Sequence, residues 1–153
     1  MKKGTNLVKV NRSMPPGKII PELVYEDLDE AVVWLCEAFG FTERLRIGSH
    51  RAQLVLEGES VIAIGRPFNP ADEQCERNAD HSLMVRVEDV DQHFERVSAH
   101  GAKVINPPEN YPYGERQYSV EDTGGHVWTF TQTLEDIDPG EWGGRLLIRD
   151  GDA

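Results

Sequence analysis

The chain has 153 residues, 39% of them hydrophobic, and its 16 Lys and Arg against 27 Asp and Glu give a formal net charge of −11. That length supports one good core. The charge, with no stretch in which clustered Lys and Arg interleave with aromatics, excludes a nucleic-acid partner. No run reaches the roughly 18 apolar residues that a membrane span needs, and Lys2-Lys3 is not followed by an apolar signal segment, so no membrane partner is expected. Cys36 and Cys75 are too few for a disulfide framework, and a reducing cytoplasm is the expected compartment.

Residues 1–17 read as an N-terminal extension closed by the break Pro15-Pro16-Gly17, with residues 1–13 dispensable and Met14 a candidate start. Ile19, Ile20, Leu23 and Val24 predict a strand over 18–25. Glu26-Asp27 then supplies an N-cap, and Leu28, Ala31, Val32, Leu35, Ala38 and Phe39 recur at helical spacing, so 28–39 is an amphipathic helix closed by Gly40. Three strands follow at 41–47, 51–57 and 60–65, with hairpin turns at Gly48-Ser49-His50 and Gly58-Glu59. Residues 66–79, rich in Pro, Asn, Asp and Glu, read as a linker.

The pattern then repeats. His81–Val87 is a strand, Asp89-Val90-Asp91 opens a helix ending at His100, and Lys103-Val104-Ile105 begins another strand. Asn106–Gly114, with its prolines and tyrosines, reads as a long shaped loop. Arg116–Glu121 and His126–Thr131 form the last hairpin around Asp122-Thr123-Gly124-Gly125. A strand, a helix and three strands therefore occur twice, as modules 18–65 and 79–132. The predicted fold class is α+β: two βαβββ modules forming a cup-shaped mixed sheet with helices on the outside, within one domain at 18–137. A pocket is expected between the copies. In the tail, 138–153, the run Leu146-Leu147-Ile148 is either an edge strand or an arm on a second subunit.

The repeated modules, the Asp-rich helix starts, Phe39-Gly40-Phe41, and above all Tyr113-Gly114-Glu115-Arg116 through Val120-Glu121-Asp122-Thr123-Gly124-Gly125-His126-Val127-Trp128 resemble the glyoxalase, bleomycin-resistance and extradiol-dioxygenase superfamily, the vicinal oxygen chelate proteins. The likeness covers about residues 18–132. It implies the fold well and the reaction poorly, since lyases, epimerases, dioxygenases and drug-binding proteins share that scaffold. Its enzymes hold a divalent metal through side chains from both modules. Carried over residue by residue, those positions fall on Ile20, Ala63, Ser82 and Thr129, with His81 one residue out of register. Two have no donor atom and two offer a neutral hydroxyl, so no metal and no other cofactor is expected.

Strand alternation assigns the remaining candidates. Ser82, Met84 and Arg86 should face the cup, leaving His81 on the helix side with Leu83 and Val85, in a structural role. Trp128 and Phe130 should pack beneath a helix, opposite to Thr129. Glu22 shares the cup face with Ile20 and Val24. Tyr111 and Tyr113 offer rigid walls for a planar ligand, and Arg86 and Arg116 either anchor a carboxylate or, paired with Glu22 or Glu121, simply neutralise the interior. The expected ligand-binding set is therefore Glu22, Arg86, Tyr111, Tyr113 and Arg116, with no catalytic residue. The implied function is metal-independent binding of a small molecule, by sequestration of a drug or metabolite as in the antibiotic-resistance branch. The alternative is a metal-dependent lyase or dioxygenase with His81 and Glu22 as displaced ligands. Two open sheet edges and the apolar tail lead us to expect a homodimer.

Overall fold

The computed structural model describes residues 11–66 and 81–147. Most of the 66–79 linker, Cys75 and Ile148 lie outside the described residues. The chain divides into two compact units, Met1–Phe68 and Asn69–Ala153. Each carries a four-stranded mixed sheet and one α-helix, which makes the fold α+β with two βαβββ modules.

In the first unit, β1 (Glu22–Tyr25), α1 (Leu28–Phe39), β2 (Thr42–Ile47), β3 (Arg51–Leu56) and β4 (Glu59–Gly65) assemble in the sheet order β1-β4-β3-β2. The β1–β4 pair is parallel and the others antiparallel. β1 is shorter than the predicted 18–25. Pro21 has no N–H to give the ladder and contributes only its carbonyl, which accepts from the Ile62 amide at 2.9 Å. α1 starts where Asp27 Oδ1 accepts the Glu30 amide at 3.0 Å and stops at Gly40, whose φ of 85° is left-handed. Its buried stripe of Leu28, Ala31, Val32, Leu35, Ala38 and Phe39 covers Leu23, Tyr25, Ala52, Leu54 and Ala63, all buried on one face of the sheet.

The second unit repeats the plan with β5 (Ser82–Arg86), α2 (Val90–Ala99), β6 (Lys103–Asn110), β7 (Glu115–Glu121) and β8 (Val127–Thr133), in the order β5-β8-β7-β6. Asp89 caps α2 through the Gln92 amide at 3.0 Å. β6 runs through Pro107 and Pro108, where the sequence predicts a loop. It is an edge strand with register shifts between Val104 and Asn106 and between Asn106 and Glu109, and an edge with bulges tolerates residues that cannot donate to the ladder. The tail adds a 3₁₀ turn at Pro139–Trp142.

α2 is far more polar than α1, and aromatic rings do much of its packing. The His93 ring lies 4.0 Å from Phe130, Phe94 meets Tyr118 edge-on at 5.2 Å, and Trp128 and Phe130 are both 1% exposed. The predicted alternation is thus observed: Trp128 and Phe130 lie in the core on the α2 side, and exposure alternates along β5. Below them the hairpin turn is built around one buried carboxylate. Asp122 Oδ1 accepts the amides of Gly124 and His126, and Oδ2 accepts the Trp128 indole N–H, each at 2.9 Å.

Two predictions follow from this core. Replacing Asp122 with Ala leaves two amides and an indole N–H without their acceptor, and urea unfolding should show a loss of about 3 kcal/mol, with Asp122→Asn losing less. The second concerns pH. Burial, aided by the Arg96 charge, lowers the pKa of His93 from 6.5 to about 4, and the ring is hydrogen-bonded to the Tyr118 hydroxyl. Between those values the unfolded chain takes up a proton that the folded chain refuses, so this contribution to stability falls as pH drops through the window. A His93→Gln variant should show a flatter dependence of Tm on pH between about 6.5 and about 4 than the parent; parallel slopes would refute the assignment.

Candidate functional site

Among the described residues one α-helix of each unit covers one face of its sheet, so the candidate site is built from side chains of opposite parity, which face away from the helix. In the second unit these include Ser82, Met84 and Arg86 on β5, Glu115, Gln117 and Ser119 on β7, and Thr129 and Thr131 on β8. Four of the unit's polar groups form one directed chain. The Tyr113 hydroxyl donates to Gln117 Oε1 at 3.0 Å, Gln117 Nε2 to Thr131 Oγ1 at 3.0 Å, and the Thr131 hydroxyl to Glu115 Oε1 at 2.6 Å. Beside it, Ser119 and Thr129 share a hydrogen bond of 2.8 Å.

Above this floor stands an aromatic wall. Tyr111 and Tyr113 stack with centroids 5.6 Å apart and planes 16° from parallel, and Trp142 of the tail turn lies 5.4 Å from Tyr113. The wall is fixed by Gly114, whose φ is +85° and where a Cβ would come within 2.3 Å of the Glu135 carbonyl; any other residue would push the tail away. Partial desolvation and the Glu109 carboxylate raise the Tyr111 hydroxyl above its ordinary range, so it remains a neutral group. Arg86, exposed at the end of β5, has no hydrogen-bond or ion-pair partner among the described residues.

Arg116 is a correction. It shares the parity of Tyr118 and Val120, not that of Gln117, and its guanidinium pairs with Asp91 in the first turn of α2 at 3.0 Å and with Asn110 at 2.9 Å. It therefore ties the helix to the sheet. Glu115, Gln117, Thr131 and Trp142 are residues of this arrangement that sequence reasoning missed. Alternation along β7 could have shown Glu115; only the tail's turn brings Trp142 to Tyr113.

In the first unit the face away from α1 carries Glu22, Val24, Arg51, Gln53, Ser60 and Ile62. Glu22 does lie on this face, where it is ion-paired with Arg51. Residues 11–17 lie on the same face. Gln53 Nε2 donates to the Ser13 carbonyl at 2.7 Å, Arg44 to the Arg12 carbonyl at 2.9 Å, and Pro15 is buried. This part of the N-terminal extension is joined to the domain rather than set apart by the Pro-Pro-Gly break.

The donor set does not fit a divalent metal. Ala63 pairs in register with the buried Leu23 and faces α1; the open-face neighbours Ile62 and Ile64 bring no donor either. The Thr129 hydroxyl is engaged by Ser119, and Ser82 offers a neutral hydroxyl. His81 is exposed, with its ring 6.4 Å from that of His126, and among the described residues no three His, Cys, Asp or Glu side chains converge. Burial, then the Glu43 charge, raises the Cys36 thiol, which makes it a poor nucleophile.

Comparison with solved structures gives the same architecture. TioX from Micromonospora sp. ML1 is 38% identical, with a TM-score of 0.63, over 77% of this chain and 99% of its own. TnmS3, described as an antibiotic binding protein from Streptomyces sp. CB03234, is 24% identical at a TM-score of 0.61, over 74% of this chain and 93% of its own. The fosfomycin resistance protein FosX of Listeria monocytogenes is 16% identical at a TM-score of 0.63, over 78% and 94%. These last two likenesses speak to fold alone. No curated protein matches the sequence. The family model for the Glyoxalase/Bleomycin resistance protein/Dioxygenase superfamily matches residues 19–130, more than half the chain, and the chain belongs to that superfamily.

Proposed function

We propose that the protein binds a small organic ligand, a drug or metabolite, on the open face of the second sheet and holds it by stacking and hydrogen bonding, with no bond made or broken. The observation that carries this reading is the directed chain from Tyr113 to Glu115 beneath the Tyr111, Tyr113 and Trp142 rings. Two stacked tyrosine rings flanked by a tilted indole, beside a satisfied polar floor, are suited to a planar ligand, because the rings present large area at small entropic cost. Arg86 is the cationic anchor for an acidic group on the ligand. Glu22, already paired with Arg51, serves as a polar rim on the first unit, and Arg116 drops out of the ligand set. That one fold neighbour is described as antibiotic binding agrees with a sequestering role but adds no residue to the argument. Among the described residues no donor set favours the metal-dependent alternative. A cytoplasmic homodimer in which residues 18–137 act as one domain completes the proposal.

A thermal-shift screen of planar aromatic compounds carrying a carboxylate tests it. A ligand at 100 times its Kd should stabilise the protein by about 2.7 kcal/mol. Tyr113→Ala and Arg86→Ala should each weaken that ligand about tenfold, the equivalent of about 1.4 kcal/mol, while Arg116→Ala should affect stability and not affinity. The protein incubated with zinc, nickel or manganese and then desalted should retain far less than one equivalent. Stoichiometric metal held through His81 would reinstate the enzyme reading.

The oligomeric prediction follows from the sheets. β2 and β6 are outer strands within their units, and Leu146 and Leu147 are 62% and 79% exposed. Light scattering at micromolar concentration should give the dimer mass, and a monomer mass would contradict it.

A further inference from the structure

The segment 11–17 on the first sheet has the marks of an occupant. β2 carries a bulge between Glu43 and Leu45, and the residue inserted there is Arg44. Arg44 lies on the Gln53 face, donating to Gln53 Oε1 at 2.6 Å. That bond settles which way the Gln53 amide points: its oxygen is taken, and its nitrogen faces outward. Arg44 and Gln53 then present two donors that read two consecutive main-chain carbonyls, those of Arg12 and Ser13. Pro15, two residues on, is the buried ring of the segment.

The fit is incomplete. Ser60, on the same face and 3% exposed, has a hydroxyl buried without a hydrogen-bond partner, although residue 17 comes close enough that a Cβ there would lie 3.6 Å from the Ser60 amide. Alongside runs an open groove of about 570 Å³ lined by Pro16, Thr42, Arg44 and Val55, within the size range of small-molecule sites. Main-chain carbonyls thus take the donors of Arg44 and Gln53 with a proline ring buried beside them, while the Ser60 hydroxyl has no hydrogen-bond partner among the described residues.

We propose that the open face of the first sheet is a second binding site, for a peptide-like ligand bearing two amide carbonyls and a compact apolar ring, and that residues 11–17 are its built-in, displaceable competitor. The proposal rests on the reading of the open faces as ligand surfaces. An external ligand that also reaches Ser60 satisfies a group the segment leaves orphaned, which gives it a basis for winning the exchange. The segment holds the advantage of a tether, since an attached competitor acts at an effective concentration in the millimolar range.

The test uses the full-length chain and a probe made from the segment: a fluorescent, N-acetylated, C-amidated peptide of residues 11–17 with alanine in place of Arg12, which contributes only its carbonyl. By fluorescence anisotropy the unmodified chain should bind it weakly, and Pro15→Glu, which expels the attached segment, should bind it at least about tenfold more tightly. Gln53→Leu added to Pro15→Glu should abolish the gain. Equal affinity for the parent and Pro15→Glu would overturn the proposal. Should Pro15→Glu fail to fold, the rate of tryptic cleavage after Arg12 in the parent decides: excess unlabelled peptide should raise it several-fold, and an unchanged rate overturns the proposal. Loss of this site leaves the ligand titration read by Tyr113→Ala and Arg86→Ala intact, so the two readings fail separately.

Discussion

One α-helix can cover one face of a four-stranded sheet, and in each unit of this protein the other face is left to be satisfied by something else. Unsatisfied, such a face would combine exposed apolar area with half-buried polar groups that each cost about 1–3 kcal/mol. The two units solve this differently. The second fills its face with side chains that satisfy one another, ending on the Glu115 carboxylate and roofed by tyrosines. The first uses an ion pair between Glu22 and Arg51 and a piece of its own N-terminal chain. Both solutions place polar groups on the sheet face away from the helix, and this is where recognition can be built.

The residues that make the family legible are mostly those that build the turns. Asp122 gathers two amides and the Trp128 indole into one buried cluster, and Gly114 lets residue 135 cross the Tyr113 turn. Each is required by backbone geometry whatever the ligand. A motif of that kind identifies the fold and carries little information about chemistry, because binding residues sit on positions where alternation permits many side chains. Superfamily membership and an open functional question are therefore compatible.

How far the sequence could be read followed from which force dominated at each position. Alternation along β5 and β8 was legible, since Trp128 and Phe130 are buried on the α2 side and their neighbours Val127, Thr129 and Thr131 take the opposite parity. The helices were legible through their Asp caps. Pro107 and Pro108 hid β6, because a propensity rule against proline yields at a bulged edge. Arg116 was misplaced because a candidate charge at a strand start was read without counting parity from Tyr118, and the pairing with Asp91 on α2 is a tertiary contact. Trp142 and the 11–17 segment could not be placed at all: no periodicity links either to the sheet it meets, only the path of the chain around turns such as Gly143, whose φ is 94°.

Under the proposed function, the direction of the hydrogen bonds on the second sheet specifies what a ligand would have to bring. Tyr113 spends its proton on Gln117, Gln117 spends an amide proton on Thr131, and Thr131 spends its own on Glu115. Every donor in the line points inward toward the carboxylate, so the Tyr113 oxygen is left with lone pairs toward the ligand side. A ligand that only accepts finds no proton there, and one with an N–H or O–H near its ring does. Arg86, level with Thr131 on the adjacent strand β5, would in the proposed site impose the opposite demand, for an acceptor or an acid. Rejection of a ligand lacking either group is sharper than the gain from adding apolar area, since a polar group left buried and unpaired costs more than a lost methylene. Under the proposed function, selectivity would therefore reside in the polar floor, and the aromatic wall would supply affinity that many planar molecules share.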